Sequence, residues 1–286
     1  MGGSFALSLK KKGLVTHIIG YDANQEAMDL AKSMGVIDSI SSSACECAQG
    51  SDAILLAVPV SATETTLAAM LPALSNDTLV MDVGSTKQEV AQIALDILGK
   101  RNLAHCFVPA HPICGREVSG VQHALSDLFE RKKVILTPHA ALDADPAAAA
   151  TRLARAKDVW QSLGCEVFVM SPQEHDATFA AVSHLPHFAA FAGLLSLLHQ
   201  TQGLNYMQFG GTGFSDFTRI AASDPVMWRD ILLSNKKEVL LQSRLLRQQL
   251  ELMESFVAAD DGVALQACLS RASAARAEWP RKKCSE

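Results

Sequence analysis

The sequence has no run of about eighteen uninterrupted apolar residues, the length a helix needs to cross a bilayer, so no membrane partner is expected. It has no surplus of basic charge either. Lys and Arg number 25 against 30 Asp and Glu, a net charge of −5, which is the wrong sign for a nucleic-acid-binding stripe. Its seven cysteines follow no repeated ligand spacing. The close pair Cys45-x-Cys47 stands alone, and no metal is expected. An odd cysteine count behind an opening too short for a secretory leader fits a reducing, cytoplasmic setting. Charged residues are scarce, at 19%, while hydrophobic residues make up 49%. That composition supports a sizeable core and excludes a disordered chain.

A further absence is local. The chain opens MGGSFALSLKKKG, an apolar helical run with glycines at its start, lysines in its last turn and Gly13 as a C-terminal stop. Glycines ahead of a helix usually close a phosphate-binding turn, and such a turn follows a β-strand. No strand precedes these glycines.

Residues 1–171 alternate short apolar runs (15–21, 53–58, 79–83, 106–110, 134–137 and 167–170) with helical stretches. This rhythm predicts βαβ units and a mostly parallel sheet buried on both faces. Small or polar residues sit just after the runs: Asp22, Pro59, Gly84-Ser85, His111 and Pro138. Ligands of open α/β sheets bind beyond the carboxyl ends of strands. Residues 172–286 lose the β rhythm and read as a helical domain. The stretch 185–199 is apolar nearly all round, which predicts a buried helix. A long helix is predicted to start at Asp224-Pro225, an N-cap and first-turn pair, and to run to about Phe256. Ile231, Leu232, Leu240, Leu241, Leu245, Leu246 and Leu250 give it a broad apolar face. So much apolar surface in a small helical domain implies a partner subunit, a homodimer.

Asp22 ends the strand after the first helix, about 20 residues beyond the glycines, where a dinucleotide fold holds the adenosine ribose hydroxyls. Glycines, helix, strand and Asp match the second half of a GxGxxG unit, with Gly2 as its third glycine. The expectation is therefore a Rossmann-like, doubly wound sheet whose first strand is missing, that strand and the first two glycines lying upstream of Met1. The cofactor-binding set is Gly2, Gly3, Ser4, Asp22, Val58, Pro59 and Gly84. The acid favours NAD over NADP, because a 2′-phosphate would meet a like charge.

His111 follows the strand at 106–110, and a histidine there suits a general base. Ser85, at the end of the preceding strand, is placed to hydrogen-bond His111 or a substrate hydroxyl. Thr86 is assigned mainly to a capping box with Glu89. SHLPH (183–187) puts Ser183, His184 and His187 at the start of the buried helix. Asp216 and Arg219 follow a glycine-rich segment, and Arg219 among apolar neighbours needs an anion, with a carboxylate its natural bidentate partner. An internal ion pair of Arg219 with Asp216 or Asp224 is the alternative. Nicotinamide cofactor, histidine base and carboxylate-binding arginine together suit hydride transfer from a small hydroxy acid.

The segments GGSFA (2–6), VGSTK (83–87), HPICGREVSG (111–120), KKVILTP (132–138), HDATFAAVSHLPH (175–187) and GFSDFTRIAASDPVMWRDI (213–231) resemble, in order, the prephenate, arogenate and cyclohexadienyl dehydrogenases. The resemblance implies NAD-dependent oxidative decarboxylation in tyrosine biosynthesis. The substrate's C4 hydroxyl loses a proton, C4 gives up hydride, the ring carboxylate leaves as CO2, and the ring becomes aromatic. It further implies that His111 takes the hydroxyl proton and that Ser85 bonds near that hydroxyl. Arg219 then binds a substrate carboxylate, and His187, Ser183 and His184 line the pocket. Glu117 and Asp216 tune or gate the site, and Trp228 reaches towards the neighbouring subunit. Arg116 departs from the small polar residue of many relatives, and it either reads the substrate's side-chain carboxylate or shifts the balance between prephenate and arogenate. The family's helical domain dimerises. The rival readings are another β-hydroxyacid-type dehydrogenase of the same plan, and an inactive truncated fragment that only dimerises.

Overall fold

The computed structural model describes residues 1–115, 118–138 and 145–279. It divides into two compact units, Met1–Lys236 and Lys237–Glu286. The change of rhythm at 171/172 falls inside the first unit.

The first unit opens with α1 (Gly2–Lys11), β1 (Ile19–Gly20), α2 (Gln25–Ser33), β2 (Ser39–Ile40) and α3 (Ala44–Ala48). It continues through β3 (Ala53–Leu56), α4 (Thr63–Met70), β4 (Leu79–Asp82) and α5 (Gln88–Leu98). Then come β5 (Phe107–Val108), β6 (Ala110–Ile113), β7 (Lys133–Leu136), α6 (Pro146–Ser162) and β8 (Glu166–Val169). The apolar runs become strands as expected, with two changes. The run at 15–21 contributes two ladder residues, Ile19 and Gly20, because its neighbour β2 offers only Ser39 and Ile40. The run at 106–110 serves two sheets. Pro109 lacks an N–H and separates β5, parallel to β4, from β6, antiparallel to β7. All other strand pairs are parallel. The strands form β1-β2, β3-β4-β5 and β6-β7-β8. Among the described residues no strand pairs with both β1 and β3.

Alternation along β4 explains the double winding. Val80 packs on one face with Leu67, Val90 and Leu98. Leu79 and Met81 pack on the other with Phe5, Phe129 and Trp160. Helices therefore cover both faces, the arrangement that near-continuous apolar strands require.

The unit ends with α7 (Pro172–Phe179), a π-helical turn (Ala180–His184), α8 (Leu185–Leu198), α9 (Gly203–Met207), α10 (Thr212–Thr218) and α11 (Pro225–Ser234). The expectation that 185–199 is buried is overturned. Of α8 only Ala190 is buried, while Phe188, Leu195 and Leu198 are exposed. The helical run Pro172–Leu198 is 27 residues, long and apolar enough by composition to cross a membrane. Its first turns, however, carry His175 and Asp176, which are hydrogen-bonded into the sheet-bearing part of the unit.

The expected long helix starts on its predicted cap, with Asp224 Oδ1 accepting the Val226 and Met227 N–H groups at 2.8 Å each. It does not run unbroken. Asn235 (φ −104°, ψ 34°) separates α11 from α12 (Lys236–Ala258). Its side chain is buried and donates to the Asp176 carbonyl at 2.7 Å. Tertiary bonding of that amide takes precedence over helical continuation. The second unit comprises the rest of α12 and α13 (Gly262–Glu278), joined through Asp260 at positive φ and capped by Asp261.

Candidate active site

The site is built around the end of β4 and the start of β6. Asp82 closes β4 and is buried. Its Oδ1 accepts the Ala110 N–H at 2.9 Å, and its Oδ2 accepts the Gly84 N–H at 2.8 Å and an ion-pair contact from Lys87. Lys87 is fully buried and also donates to the Ala110 carbonyl at 2.9 Å. One ion pair thus fixes the VGSTK turn against the residue before His111. Burial pushes the Lys87 ammonium below its ordinary range, and Asp82 opposes that shift.

The capping box assigned to Thr86 and Glu89 does not form. The N-cap of α5 is Lys87 and has no side-chain cap of its own. The Asp176 carboxylate, from α7, accepts the Lys87 and Gln88 N–H groups at 2.8 and 2.9 Å. An anion at a helix N-terminus satisfies two orphan donors and the helix dipole together. Thr86 instead bonds Ser234 of α11 at 2.9 Å.

His111 is half-buried in β6, opposite Ile135. Its Nδ1 lies 2.8 Å from His175 Nε2, and His175 Nδ1 lies 2.8 Å from Asp176 Oδ1. Ser85 is half-buried and has no hydrogen bond to His111; the histidine's partner is His175. Phe179 packs on both imidazoles, at 4.8 and 4.4 Å between ring centroids. Burial, then the neighbouring His175 and Lys87, hold the His111 imidazole well below its ordinary pKa. Burial lowers His175 as well, against the pull of Asp176.

His184 and Ser183 sit in the π-helical turn, a feature frequent at functional sites. His184 Nδ1 is 3.2 Å from Asn235 Nδ2, while its buried Nε2 has no partner among the described residues. Burial pushes His184 down to about 4. His187 bonds the Ser183 carbonyl through Nδ1 at 2.9 Å and stacks on Trp228 at 3.7 Å between centroids. The buried Trp228 Nε1 likewise has no partner among the described residues. Buried polar atoms left in this way are where a ligand or water finds its bonds. Asp216 lies exposed on α10, and Arg219 is exposed where α10 passes into a short 3-10 turn. Asp224 is committed to its helix cap. Arg116 and Glu117 lie outside the described residues.

The expected cofactor residues fall into two sets. A side chain at Gly2 would place Cβ 2.9 Å from Ala57 Cβ, so the start of α1 lies directly against the end of β3. Gly84 approaches Val60, just past Val58 and Pro59. Asp22, exposed beyond β1, accepts the Asn24 N–H at 2.8 Å. Ser4 differs, since it is buried and its hydroxyl accepts the Leu125 N–H at 3.1 Å.

Asp82, Lys87, His175, Asp176 and Asn235 were given no role on sequence grounds. Asp82 alone carries a local signal, a carboxylate between Met81 and Val83 in an apolar strand; Lys87, His175 and Asn235 are flanked by polar residues and carry none.

The chain matches two family models: "Prephenate dehydrogenase, nucleotide-binding domain" over residues 5–169, and "Prephenate dehydrogenase, dimerization domain" over residues 171–271. It is 36% identical to the prephenate dehydrogenase of Bacillus subtilis over 84% of this chain and 63% of that protein. It is 33% identical to the cyclohexadienyl dehydrogenase of Zymomonas mobilis, over 85% of this chain and 80% of that one. Among solved structures, the prephenate dehydrogenase of A. aeolicus, complexed with hydroxyphenyl propionate and NAD+, superposes with a TM-score of 0.88 at 39% identity. The match covers 97% of this chain and 94% of that one. The chain therefore belongs to the prephenate dehydrogenase family, with a Rossmann-like nucleotide-binding part followed by a helical part.

Proposed function

We propose that the chain catalyses NAD-dependent oxidative decarboxylation of prephenate, arogenate or both. The observation that carries this reading is the place and state of His111. It stands at the sheet edge where His175 and the Lys87–Asp82 pair fix its surroundings. Burial keeps it uncharged at neutral pH, so it is available to accept a proton.

The residues present fit NAD. The start of α1 has no side-chain cap and is packed close to β3 through Gly2, which leaves its amides for a pyrophosphate. The exposed Asp22 carboxylate suits ribose hydroxyls and disfavours a 2′-phosphate. When bound, the nicotinamide supplies the hydride acceptor. His111 takes the proton from the substrate's C4 hydroxyl, and Ser85 bonds beside that hydroxyl. Arg219 binds a carboxylate, and His187, stacked on Trp228, lines the pocket with Ser183 and His184. Loss of CO2 and aromatisation provide the driving force, so these side chains chiefly orient the substrate and handle one proton.

We also infer a homodimer through the helical part. Phe209, Leu204 and Val182, all in the helical part, are 87%, 70% and 65% exposed, and large exposed apolar side chains mark surfaces that a partner covers. Similarity to a dimerisation domain over residues 171–271 agrees. A single species of monomer mass in sedimentation at micromolar concentration would count against it.

The activity test is NADH absorbance with the purified chain, NAD and each substrate in turn. Growth with one substrate names it. Absorbance that stays flat with both, from folded protein at saturating NAD, refutes the reading. His111→Asn is expected to lower turnover by about 10²–10⁴-fold with NAD affinity unchanged. Unaltered turnover removes His111 from the mechanism.

A further inference from the structure

The connected polar groups behind His111 reach beyond the site's expected residues. We infer that His175 and Asp176 are positioning residues that hold His111 in the tautomer with its proton on Nδ1, leaving Nε2 as the base. This rests on the proposed dehydrogenase reading and assigns a role to two residues that reading leaves idle.

The argument is one of donors and acceptors. Asp176 is a carboxylate, an acceptor only. His175 Nδ1 lies 2.8 Å from its Oδ1, and both residues are buried. Were that nitrogen bare, two acceptors would face each other at hydrogen-bond distance. His175 Nδ1 therefore carries a proton and donates. Burial keeps His175 neutral, so its single proton is spent there and Nε2 is an acceptor. His111 Nδ1, 2.8 Å away, must be the donor of that bond. A neutral His111 that donates from Nδ1 has its lone pair on Nε2, on the opposite side of the ring.

The anchor is firm because Asp176 is held from both ends. Its oxygens cap α5 through the Lys87 and Gln88 N–H groups, and its carbonyl accepts from Asn235. Phe179 packs against both rings and restricts their rotation. Among the described residues the other charges near the pair are Lys87 and Asp82, which neutralise one another, with neutral His184 alongside. When the substrate O–H breaks and Nε2–H forms, the imidazolium on His111 faces the fixed negative charge of Asp176 through His175. No proton needs to leave His175.

The test has two arms. In the first, 15N-histidine-labelled chain is examined by NMR without ligand, the His111 signals being assigned by their loss in His111→Asn. The expected pattern is a protonated Nδ1 and a bare Nε2. A protonated Nε2 overturns the inference whether or not the chain proves active. The second arm compares His175→Phe, which keeps an aromatic ring but has no acceptor, with His175→Gln, whose carbonyl can accept from His111. Phe is expected to lower kcat by about 10²-fold, the scale of a misplaced catalytic group. Substrate KM and NAD affinity stay at wild-type values, and Gln recovers most of the loss. Wild-type kcat in His175→Phe, or no recovery in a folded His175→Gln, overturns it. A wild-type chain inactive on both substrates defeats the proposed function, and the NMR arm then decides the tautomer alone.

Discussion

Around His111 the buried Lys87, Asp82, His175 and Asp176 satisfy one another, whereas the segment from α8 to α10 leaves bulky apolar side chains in water. Lys87, Asp82, His175 and Asp176 are at most 4% exposed and all hydrogen-bonded. Phe188, Leu195, Leu204, Phe209 and Phe217 are all at least 40% exposed. The first region is complete within one chain and will fail by losing a partner inside it. The second has apolar surface in excess of its own packing, and its function depends on what covers it. This difference separates mutations read in stability from mutations read in substrate handling.

The largest effect is expected in the first region. Lys87→Met leaves Asp82 buried with its counter-charge removed. Breaking a buried pair in this way costs about 3–5 kcal/mol, to be read as a fall in the unfolding free energy in urea. A loss below ~1 kcal/mol would place the pair with exposed ion pairs and contradict the burial on which the comparison rests.

The same region makes stability fall with acid. His184 titrates near 4 in the folded chain against an ordinary 6.5, through burial. Between those values the unfolded chain binds more protons, so the unfolding free energy rises with pH. The contribution is fully present above 6.5 and lost as pH falls towards 4, with a total of order 3 kcal/mol. The lowered His111 and His175 act in the same direction. Denaturation at pH 7 and pH 4.5 should show a smaller difference in His184→Asn than in wild type. An equal difference assigns the proton uptake elsewhere.

In the second region the expected signature is inverted. Arg219 is exposed. If it binds a substrate carboxylate, Arg219→Ala raises KM by an amount worth roughly 2 kcal/mol or more, as for a truncated charge pair, in a chain that still folds. A normal KM together with a lower midpoint makes the arginine structural.

What could be read from sequence divides along the same line. The strand runs, the Asp224-Pro225 start and the apolar surplus are local patterns with counterparts in the fold, whereas His111, expected just past a strand end, lies inside β6, because Pro109 ends β5 and the chain resumes pairing with β7 at Ala110. The helix cap of α5 is not legible locally, because its anion, Asp176, lies 88 residues from Gln88. Nothing near VGSTK signals it, and a local capping box with Glu89 was the cheaper assumption. The break at Asn235 was missed for the same reason, since only the tertiary bonds to Asp176 and His184 make that amide more useful outside a helix. Apolarity all round 185–199 predicts burial, and the fold leaves most of that helix uncovered within the chain. The pattern reports only that the helix has no polar face, not which molecule covers it.

The smallest expected effect tests whether the two regions are coupled. Helix α11 touches both. Its last residue, Ser234, bonds Thr86, and the adjoining Asn235 bonds Asp176, while Trp228 near its start stacks on His187. Asp224→Ala removes the two bonds that cap it. The cost is about 1 kcal/mol of stability, typical for an N-cap. Because the far end of α11 stays anchored in the buried nest, Trp228 should keep its place and kcat should not move. A fall in kcat out of proportion to that stability loss would mean that the start of α11 is held only by its cap. In that case the position of Trp228 over His187 would depend on Asp224, and the division between a self-sufficient nest and a dependent apolar segment would have to be redrawn along α11 itself.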